Sequence, residues 1–455
     1  MPSLYSRMLE HVLLPAHNTL RGRDFVRHRR FLEESQWWPL EKLLEFRWKE
    51  TRALLEHAFR TVPYYQRKYA EAGIRLEDIR TPQDYARLPI LRREEVNAHR
   101  EELRSTAYRG RLISHATGGS SGVPTRFYIT IESYDWRTAC TERVYAYTGC
   151  RLGERTLFLW GAPVGKLPAW KARKVKAFET FRRQLVINTF SQSEEKWREV
   201  LERARHYQPK LVVGYISSLE GFSRFLLDGK HYLPGVQAVI AAAEPLFPPT
   251  RTLVEKAFGA PLFNTYGSRE FMSIAGECEK HAGMHVNCEN ILLEAAAGAI
   301  QANSASRFAA GASDFLVTDL HNYGMPFLRY AIGDIGVLDD SPCSCGRGMP
   351  RIVSIEGRVL DVLRSADGRV IPGELFPHVL KEIPEVLEFR VTQTALTKLV
   401  MEAVLTAELS EKSKGILGSE ILKAFGPQTE LEIRRVEAIP RLTSGKRRVT
   451  IGLPG

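Results

Sequence analysis

Short apolar runs alternate with helical patterns from about residue 154 onward, and this alternation limits the possible folds more than any other feature. The runs are Thr156–Trp160, Leu211–Tyr215, 236–243 and 261–264. Helical segments lie between them, one opening after Ser193 and another running from Pro248 to a closing Gly259. Strands that alternate with helices in this way form a largely parallel sheet covered by helices. The sequence therefore predicts an α/β domain.

Two other segments flank this region. Apolar residues recur every three to four positions from Leu43 to Phe59, which predicts a helix that ends before Pro63. Beyond Gly357-Arg358, apolar stretches at 386–391 and 431–436 predict separate strands. We expect a domain of residues 1–356, largely helical over 1–110 with an α/β core over 111–356, and a smaller α+β domain over 357–455.

Composition and charge narrow the class of protein. Apolar residues make up 44% of the 455 residues and charged residues 26%, which is ordinary for a globular chain and excludes general disorder. The net charge of +11 indicates either a basic but ordinary surface or a polyanionic partner: a nucleic acid, an anionic membrane or a nucleotide-like substrate. We expect a cytoplasmic protein without a membrane span, because a secretory leader and a long apolar stretch are both lacking.

Four short motifs have residue types suited to nucleotide chemistry. The first is rich in glycine and hydroxyl groups and consists of Thr117, Gly118, Gly119, Ser120, Ser121 and Gly122. Such a loop can wrap around phosphate oxygens, although its spacing is not that of a Walker loop. The second, Tyr266-Gly267 with Glu270, follows an apolar run. Ligands bind at this end of a parallel strand. Taken singly, the first motif is more often a flexible loop, and a turn with a solvated glutamate is favoured for the second.

The other two motifs lie nearer the carboxyl end. Asp334 follows Gly333 and could accept both hydroxyls of a ribose, or it could bond its own turn. Lys446 follows Gly445 and could neutralise charge on a reacting phosphoryl oxygen, or it could be a solvated tail lysine.

Together, the order of these motifs resembles the adenylate-forming superfamily. The similarity is to the branch of phenylacetate–CoA ligase, deazaflavin-coenzyme synthetase-like and CapK-type proteins, and it extends from about Tyr64 to Lys446. The resemblance implies a large N-terminal adenylate-forming domain and a small mobile C-terminal lid. It also implies ATP, Mg²⁺ and CoA as cofactor and co-substrates.

The resemblance also implies roles for individual residues. It implies that the loop of residues 117–122 binds the ATP phosphates and that Ala243, Glu244 and Pro245 line the adenine. Tyr266 and Gly267 would lie beside the adenine, Glu270 would bind Mg²⁺ and Asp334 would bind the ribose. Arg358 would contact the nucleotide, and Lys446 would act in adenylation. By strand-end position, Trp160, Tyr215 and Ala243 are expected beside the acyl group.

Three positions depart from the family pattern. Val123 occupies a position of the phosphate loop that is often lysine in the family. Arg269 occupies the position before the acidic residue, where the family often has threonine. Leu360 occupies the position at which the family usually has the aspartate that acts as the hinge. The expected reaction is activation of a carboxylic acid, first an aryl or arylacetic acid, followed by transfer to CoA. Val123 and Leu360 leave open transfer to an amine, a carrier protein or a polysaccharide-pathway acceptor.

Cysteine and histidine residues point to a metal site. Cys343 and Cys345 form a close pair, with Cys278 and His285 upstream, and zinc takes four such ligands in a tetrahedron. Related sequences carry a similar arrangement, which favours this set, with His281 or Cys288 as substitutes. Free buried thiols are the alternative.

A basic segment over 166–183 is not explained by the motifs. Trp170, Val175, Phe178 and Phe181 interleave with lysine and arginine at helical spacing. A solvated face over a core stripe is favoured, and binding to nucleic acid, anionic lipid, CoA or an acidic carrier protein is the alternative.

Two function classes are weighed. An enzyme of the kind above would have a small carboxylic acid, ATP and CoA as partners, without nucleic acid, and its oligomeric state stays open, a homodimer included. A basic, zinc-bearing nucleic-acid-binding protein would explain the charge and the cysteines but not the ordered motifs or Lys446.

Overall fold

The structure is a computed structural model. It describes residues 3–116, 125–160, 168–189, 194–296, 312–358, 363–367, 370–371, 375–380, 383, 385–439 and 450–453. Among the motifs, residues 117–122 and Lys446 lie outside these ranges, as do Val123 and Leu360.

The first hundred residues are helical, as expected. The elements are α1 (Leu4–Met8), a π-helical turn Leu9–Leu13, α2 (Leu14–Arg21), α3 (Phe25–Ser35), α4 (Leu40–Thr61), α5 (Pro63–Glu71), a 3-10 turn Leu76–Asp78, α6 (Pro82–Tyr85) and α7 (Arg93–Ala98). Helix α4 ends two residues before Pro63, and the proline then occupies the first position of α5.

An α/β region follows. Its strands are β1 (Leu112–Ala116), β2 (Arg126–Thr130), β3 (Thr156–Trp160), β4 (Gln184–Asn188), β5 (Leu211–Tyr215), β6 (Ala238–Ala242), β7 (Leu262–Ser268), β8 (Met272–Glu277), β9 (Met284–Val286), β10 (Ile291–Ala296), β11 (Ser313–Asp319), β12 (Tyr330–Asp339) and β13 (Arg351–Arg358). Its helices are α8 (Ile131–Ala146), α9 (Ala169–Phe181), α10 (Glu194–Tyr207), α11 (Ile216–Asp228) and α12 (Pro248–Phe258). Strands β1 and β2 form a separate hairpin pair.

One sheet of eleven strands holds this region together, in the order β10-β11-β12-β13-β9-β8-β7-β6-β5-β3-β4. Strands β4, β3, β5, β6 and β7 pair in parallel. From β7 onward every neighbour is antiparallel. Strand β7 is therefore the point at which the sheet changes from parallel to antiparallel.

The parallel half is buried on both faces, which explains why its strands are apolar without alternation. In β5, Val212 points into a core with α10, α11 and α12, whereas Leu211 and Val213 point to the opposite face. Gly259 ends α12 with a φ of 62°, a left-handed conformation that favours glycine. The expected α/β class is confirmed.

The C-terminal residues form their own sheets and core. The elements are β14 (Leu363–Arg364), β15 (Val370–Ile371), α13 (Leu375–Leu380), β16 (Val386–Ala395), β17 (Lys398–Leu405), α14 (Glu411–Phe425), β18 (Glu430–Arg435) and β19 (Thr450–Ile451). Four strands pair in the order β18-β17-β16-β19, and Phe376, Met401 and Phe425 belong to the core beside them. A search of the described helices finds none whose length and apolar character would let it cross a bilayer.

Candidate active site

Four of the expected site residues lie at one edge of the parallel half. Trp160 is the last residue of β3, Tyr215 the last of β5, Ala243 follows β6, and Tyr266 lies near the end of β7. Because these strands are parallel, their carboxyl ends meet at the same edge, where open α/β sheets bind ligands. The fold thus places on one edge four residues that are far apart in sequence.

Trp160 and Tyr215 form an aromatic wall at this edge. Their rings stack with centroids 4.2 Å apart and an interplanar angle of 23°. Burial raises the pKa of the Tyr215 phenol, the charge of Arg269 opposes this, and Glu244 adds to it. Arg269 and Glu244 are thus the charged groups that act on the Tyr215 phenol.

The Ala243-Glu244 step has an unusual backbone. Ala243 adopts a φ of 70°, a left-handed conformation that is costly for a residue with a Cβ atom. The turn directs the Glu244 carboxylate onto the start of α11, where the Ser217 amide donates a 2.6 Å hydrogen bond to Oε2 and the Ser217 hydroxyl donates one of 3.2 Å to Oε1. A carboxylate at a helix N-terminus is stabilised there by the helix dipole. The segment is therefore rigid, and Pro245 after it is exposed.

Tyr266 and Asp334 meet directly. The Tyr266 hydroxyl donates a 2.7 Å hydrogen bond to Oδ2 of Asp334, and both residues are buried. The backbone of Arg358 lies opposite Asp334 in the β12–β13 register. Two residues that the sequence assigned to one nucleotide are thus in contact, and a third lies on the adjacent strand.

Glu270 is buried in the connection between β7 and β8 and contacts β12, the strand that carries Asp334. The Tyr330 hydroxyl donates a 3.3 Å hydrogen bond to its Oε1. Burial raises the pKa of Tyr330 well above its ordinary value, and the Glu270 carboxylate raises it further. The neutral phenol therefore orients one carboxylate oxygen. The role of Tyr330 was not predicted, because a tyrosine within an apolar strand looks like a core residue.

Position 267 requires glycine because strands β7 and β8 approach each other closely there. A Cβ atom at this position would lie 2.0 Å from the carbonyl oxygen of Met272. The β7–β8 register shifts between Tyr266 and Gly267, which marks a β-bulge. The bulge turns the end of β7 and so sets the direction of the Tyr266 side chain.

Cys278, His285, Cys343 and Cys345 lie together in a second cluster. One ligand atom from each residue lies within 4.8 Å of the others. The sulfur atoms of Cys278 and Cys343 are 3.9 Å apart, and Cys345 Sγ lies 3.3 Å from His285 Nε2. Two thiols from the loop after β12 thus meet one residue at the end of β8 and one in β9.

Burial keeps the His285 ring and the Cys278 thiol of this cluster uncharged. Burial lowers the pKa of His285 to about 4, so its ring is neutral, and Nδ1 lies 3.4 Å from the Met349 carbonyl, which leaves Nε2 for a ligand. Burial raises the pKa of the Cys278 thiol to about 12, and the neighbouring thiols add to this. A metal ion would supply the positive charge that such a buried group needs to become a thiolate. Three sulfurs and one nitrogen are a ligand set that zinc takes in tetrahedral coordination.

The expected substitutes lie outside this cluster. His281 Nδ1 lies 3.1 Å from Glu277 Oε2, and the Cys288 thiol contacts Oε2 of Glu289 at 3.8 Å.

Comparisons with known proteins agree with this fold. Residues 363–452 match the protein family described as the CapK C-terminal domain. The chain is 23% identical over 372 residues to Protein CapK of Staphylococcus aureus, covering 80% of this chain and 79% of that protein. It is 25% identical over 407 residues to a phenylacetate–coenzyme A ligase of Thermus thermophilus, covering 84% of this chain and 85% of that one.

Comparison with solved structures also supports this fold. A 2-hydroxyisobutyryl-CoA ligase in the postadenylation state, bound to an acyl-AMP, superposes with a TM-score of 0.69 at 20% identity, covering 92% of this chain and 91% of that one. The same ligase with acyl-AMP and CoA in the thioesterification state gives 0.60 at 18% identity, with coverage of 92% and 91%. These likenesses confirm the expected resemblance and fold.

Proposed function

We propose that this chain, a homologue of CapK and of phenylacetate–CoA ligases with the adenylate-forming fold, is an ATP-dependent ligase that converts a carboxylic acid to an acyl-AMP and then to an acyl-CoA. The observation that carries the proposal is the contact between Tyr266 and Asp334 beside Glu270. It brings together a ring, a ribose acceptor and a metal-binding carboxylate at the edge of the sheet where ligands bind.

In the first half-reaction, a carboxylate oxygen of the acid attacks the α-phosphorus of ATP. A P–O bond to the acyl group forms, the bond to pyrophosphate breaks, and pyrophosphate leaves. The chief barrier is charge on the phosphoryl oxygens. Asp334 would hold the ribose hydroxyls, with Tyr266 fixing the orientation of its carboxylate, and Arg358 and Lys446 would approach the nucleotide as cations.

Glu270 would hold Mg²⁺ with the phosphate oxygens. Its carboxylate is buried and oriented by Tyr330, which suits a hard cation that accepts few protein ligands. The ion would withdraw charge from the phosphates. Residues 117–122 would supply the phosphate loop.

In the second half-reaction, the CoA thiolate attacks the acyl carbonyl, a C–S bond forms and AMP leaves. We place the boundary of the lid that serves this step at residue 357, so that residues 357–455 bring Lys446 to the site for adenylation. Among the relatives named above, the Thermus thermophilus enzyme and the 2-hydroxyisobutyryl-CoA ligase are acid–CoA ligases, which favours CoA over an amine or polysaccharide acceptor.

The acid would be an aryl or arylacetic acid. Trp160 and Tyr215 present stacked rings at the edge of the sheet next to Ala243, and a flat aromatic acid can pack against such a wall.

The cysteine cluster would hold a structural zinc ion through Cys278, His285, Cys343 and Cys345. Four protein ligands would leave no open coordination position, so the ion would take no part in the reaction. It would join the end of β8 to the loop after β12, and Asp334 lies on β12.

The proposal is tested by carboxylate-dependent exchange of label between pyrophosphate and ATP, followed by addition of CoA. We expect exchange with at least one acid of an aryl and arylacetic panel, and acyl-CoA once CoA is present. Glu270→Gln should lower exchange at least about tenfold and raise the Mg²⁺ concentration it needs. Glu194→Gln, at an exposed position on α10, is the control. Absence of exchange with every acid would refute the proposal.

A further inference from the structure

Helix α9 is exposed on every side over most of its length. All of the residues from 169 to 178 are exposed, although Trp170, Val175 and Phe178 are among them, at 63%, 46% and 48%. The favoured expectation of a core stripe is therefore wrong for these three residues: only Phe181, at the end of the helix, packs against a core cluster. At about 100° per residue, Trp170, Val175, Phe178 and Phe181 fall within about 140° of the circumference, so they form one apolar side.

A second apolar stripe lies on the N-terminal helix formed by α1, the π-turn and α2. Every fourth residue along it is apolar and exposed: Leu4, Met8, Val12, Ala16 and Leu20. A four-residue repeat drifts around an α-helix, and the wider π-turn at Leu9–Leu13 opposes that drift, so the stripe stays on one side. The opposite side, with Leu9 and Leu14, packs into the protein.

The two segments adjoin at the end of α9. The Tyr5 hydroxyl donates a 2.8 Å hydrogen bond to the carbonyl of Phe181, and the rings of His17 and Phe181 are 6.2 Å apart. The Arg183 guanidinium lies 4.1 Å from the centre of the Tyr5 ring. We call the exposed residues of 4–21 and 169–178 together the basic apolar surface.

The basic apolar surface is rich both in exposed apolar side chains and in exposed cations. Of the fifteen exposed large apolar residues in the described chain, seven belong to it: Leu4, Met8, Val12, Leu20, Trp170, Val175 and Phe178. Its exposed cations are Arg7, Arg21, Lys171, Arg173, Lys174 and Lys176. The one carboxylate in these two segments, that of Glu10, is buried and paired with Arg29. The surface therefore carries six exposed cations beside exposed apolar area, and the half-buried carboxylate of Glu179, one residue beyond it on α9, offsets only part of this charge.

We propose that the basic apolar surface docks on an anionic phospholipid bilayer, with α9 and the N-terminal helix lying in the headgroup layer. Lysine and arginine side chains would reach the lipid phosphates while the apolar side chains enter the acyl boundary. A nucleic acid would match the cations but would not cover the aliphatic residues Leu4, Val12 and Leu20. A second copy would bring the same positive charge against itself.

The test uses the full chain and vesicles of phosphatidylcholine, alone or with about 30% phosphatidylglycerol. We expect flotation with the anionic vesicles only, and release as NaCl rises from about 50 to about 500 mM. Trp170→Ser/Phe178→Ser and Lys171→Glu/Lys174→Glu should each weaken binding at least about tenfold. These positions are exposed, so the variants should keep the wild-type circular dichroism and acid-dependent exchange in vesicle-free buffer.

Matched controls come from elsewhere on the surface. Tyr232→Ser removes an aromatic ring that is 62% exposed, and Lys412→Glu/Lys423→Glu makes the same change of charge on α14. Both should bind vesicles like the wild type. Three outcomes would overturn the proposal: no flotation with anionic vesicles, equal weakening by the controls, or tight binding to a DNA duplex that Trp170→Ser/Phe178→Ser leaves unchanged. A dimer in solution that the same variant abolishes, without vesicle binding, would assign the surface to a second copy instead.

Discussion

The Tyr266 hydroxyl lies 2.7 Å from Asp334 Oδ2, although three strands separate β7 from β12 in the sheet. On a flat sheet, four strand spacings would put these residues about 19 Å apart, farther than a tyrosine side chain reaches. The antiparallel half must therefore curl back toward β7, and the ring of Phe315 on β11, 6.2 Å from that of Tyr266, agrees with this. This curvature of the sheet brings Tyr266 and Asp334 into contact.

The first prediction concerns this contact. Tyr266→Phe removes the donor but keeps the ring, so the Asp334 carboxylate loses its orientation. A hydrogen bond to a charged group contributes about 1.5–3 kcal/mol, and we expect the KM for ATP in the exchange assay to rise about tenfold or more. Tyr85→Phe is the matched control, because the buried Tyr85 hydroxyl shares a 2.7 Å hydrogen bond with Thr318 in the core. If both variants raise the KM equally, the Tyr266 contact has no special role in nucleotide binding.

The second prediction separates the two half-reactions. Lys446→Ala should lower acid-dependent exchange at least about a hundredfold, because a cation beside the developing phosphoryl charge is lost. Formation of acyl-CoA from preformed acyl-AMP should change less than about threefold, since no phosphoryl transfer remains. Single-turnover rates of both steps measure this. Equal loss in both steps would contradict a lid that presents Lys446 for adenylation only.

The third prediction concerns zinc. Purified protein should contain about one zinc per chain by elemental analysis, and Cys343→Ser should remove most of it and lower the thermal midpoint. Cys288→Ser, also at a buried cysteine but outside the cluster, should keep the metal. Protein that is free of metal after expression in zinc-supplemented medium would sink this assignment.

The fourth prediction concerns a buried ion pair between α8 and the connection from β9 to β10. Arg143 donates to Glu289 at 2.6 and 2.9 Å, and both side chains are almost fully buried. Glu289→Gln leaves the guanidinium without its counter-charge and should cost about 3–5 kcal/mol of unfolding free energy. Arg143→Met/Glu289→Leu should cost less, because no charge stays buried.

An exposed pair serves as the comparison for urea denaturation. Glu194→Gln breaks the ion pair with Arg198, in which the Arg198 side chain is 63% exposed and the Glu194 side chain 65%. This variant should lose under about 1 kcal/mol of unfolding free energy. A smaller loss for Glu289→Gln than for the double variant would contradict the argument.

The fifth prediction is a dependence of stability on pH. Burial lowers the pKa of His321 from 6.5 to about 4, and its ring stacks on Trp136 at 4.1 Å. Between these two pKa values the unfolded chain binds a proton that the folded chain does not. Stability therefore falls as the pH drops from 6.5 toward 4, by up to about 3 kcal/mol from this group.

His321→Gln should make that profile less steep in urea midpoints measured between pH 7 and pH 5. Part of the slope should remain, because burial also lowers the pKa of His28 to about 4. His206→Gln, at an exposed position near the end of α10, should leave it unchanged. A profile that His321→Gln does not alter would assign the acid sensitivity to other groups.

The parallel half could be read from the sequence because its strands are local apolar runs. The range Leu211–Tyr215 coincides with β5, and Gly259 ends α12 as expected. The antiparallel half was not predicted, since its pairings join distant segments such as β9 and β13. In the same way, Asp334 and Tyr266 could each be chosen by motif, whereas the contact between them and the orienting role of Tyr330 follow only from the curl of the sheet.

The change of strand direction at β7 also has a consequence for biosynthesis. Strands β3 to β7 pair among themselves, so residues 156–268 can assemble while later residues are still being translated, because domains form from the N-terminus onward. Strand β12 ends at Asp339 and needs β13, which ends at Arg358, for its partner. The end of the candidate site that carries Asp334 thus comes into existence only after about four-fifths of the chain has left the ribosome. A product truncated before β12 would hold the aromatic wall of Trp160 and Tyr215 but not Asp334.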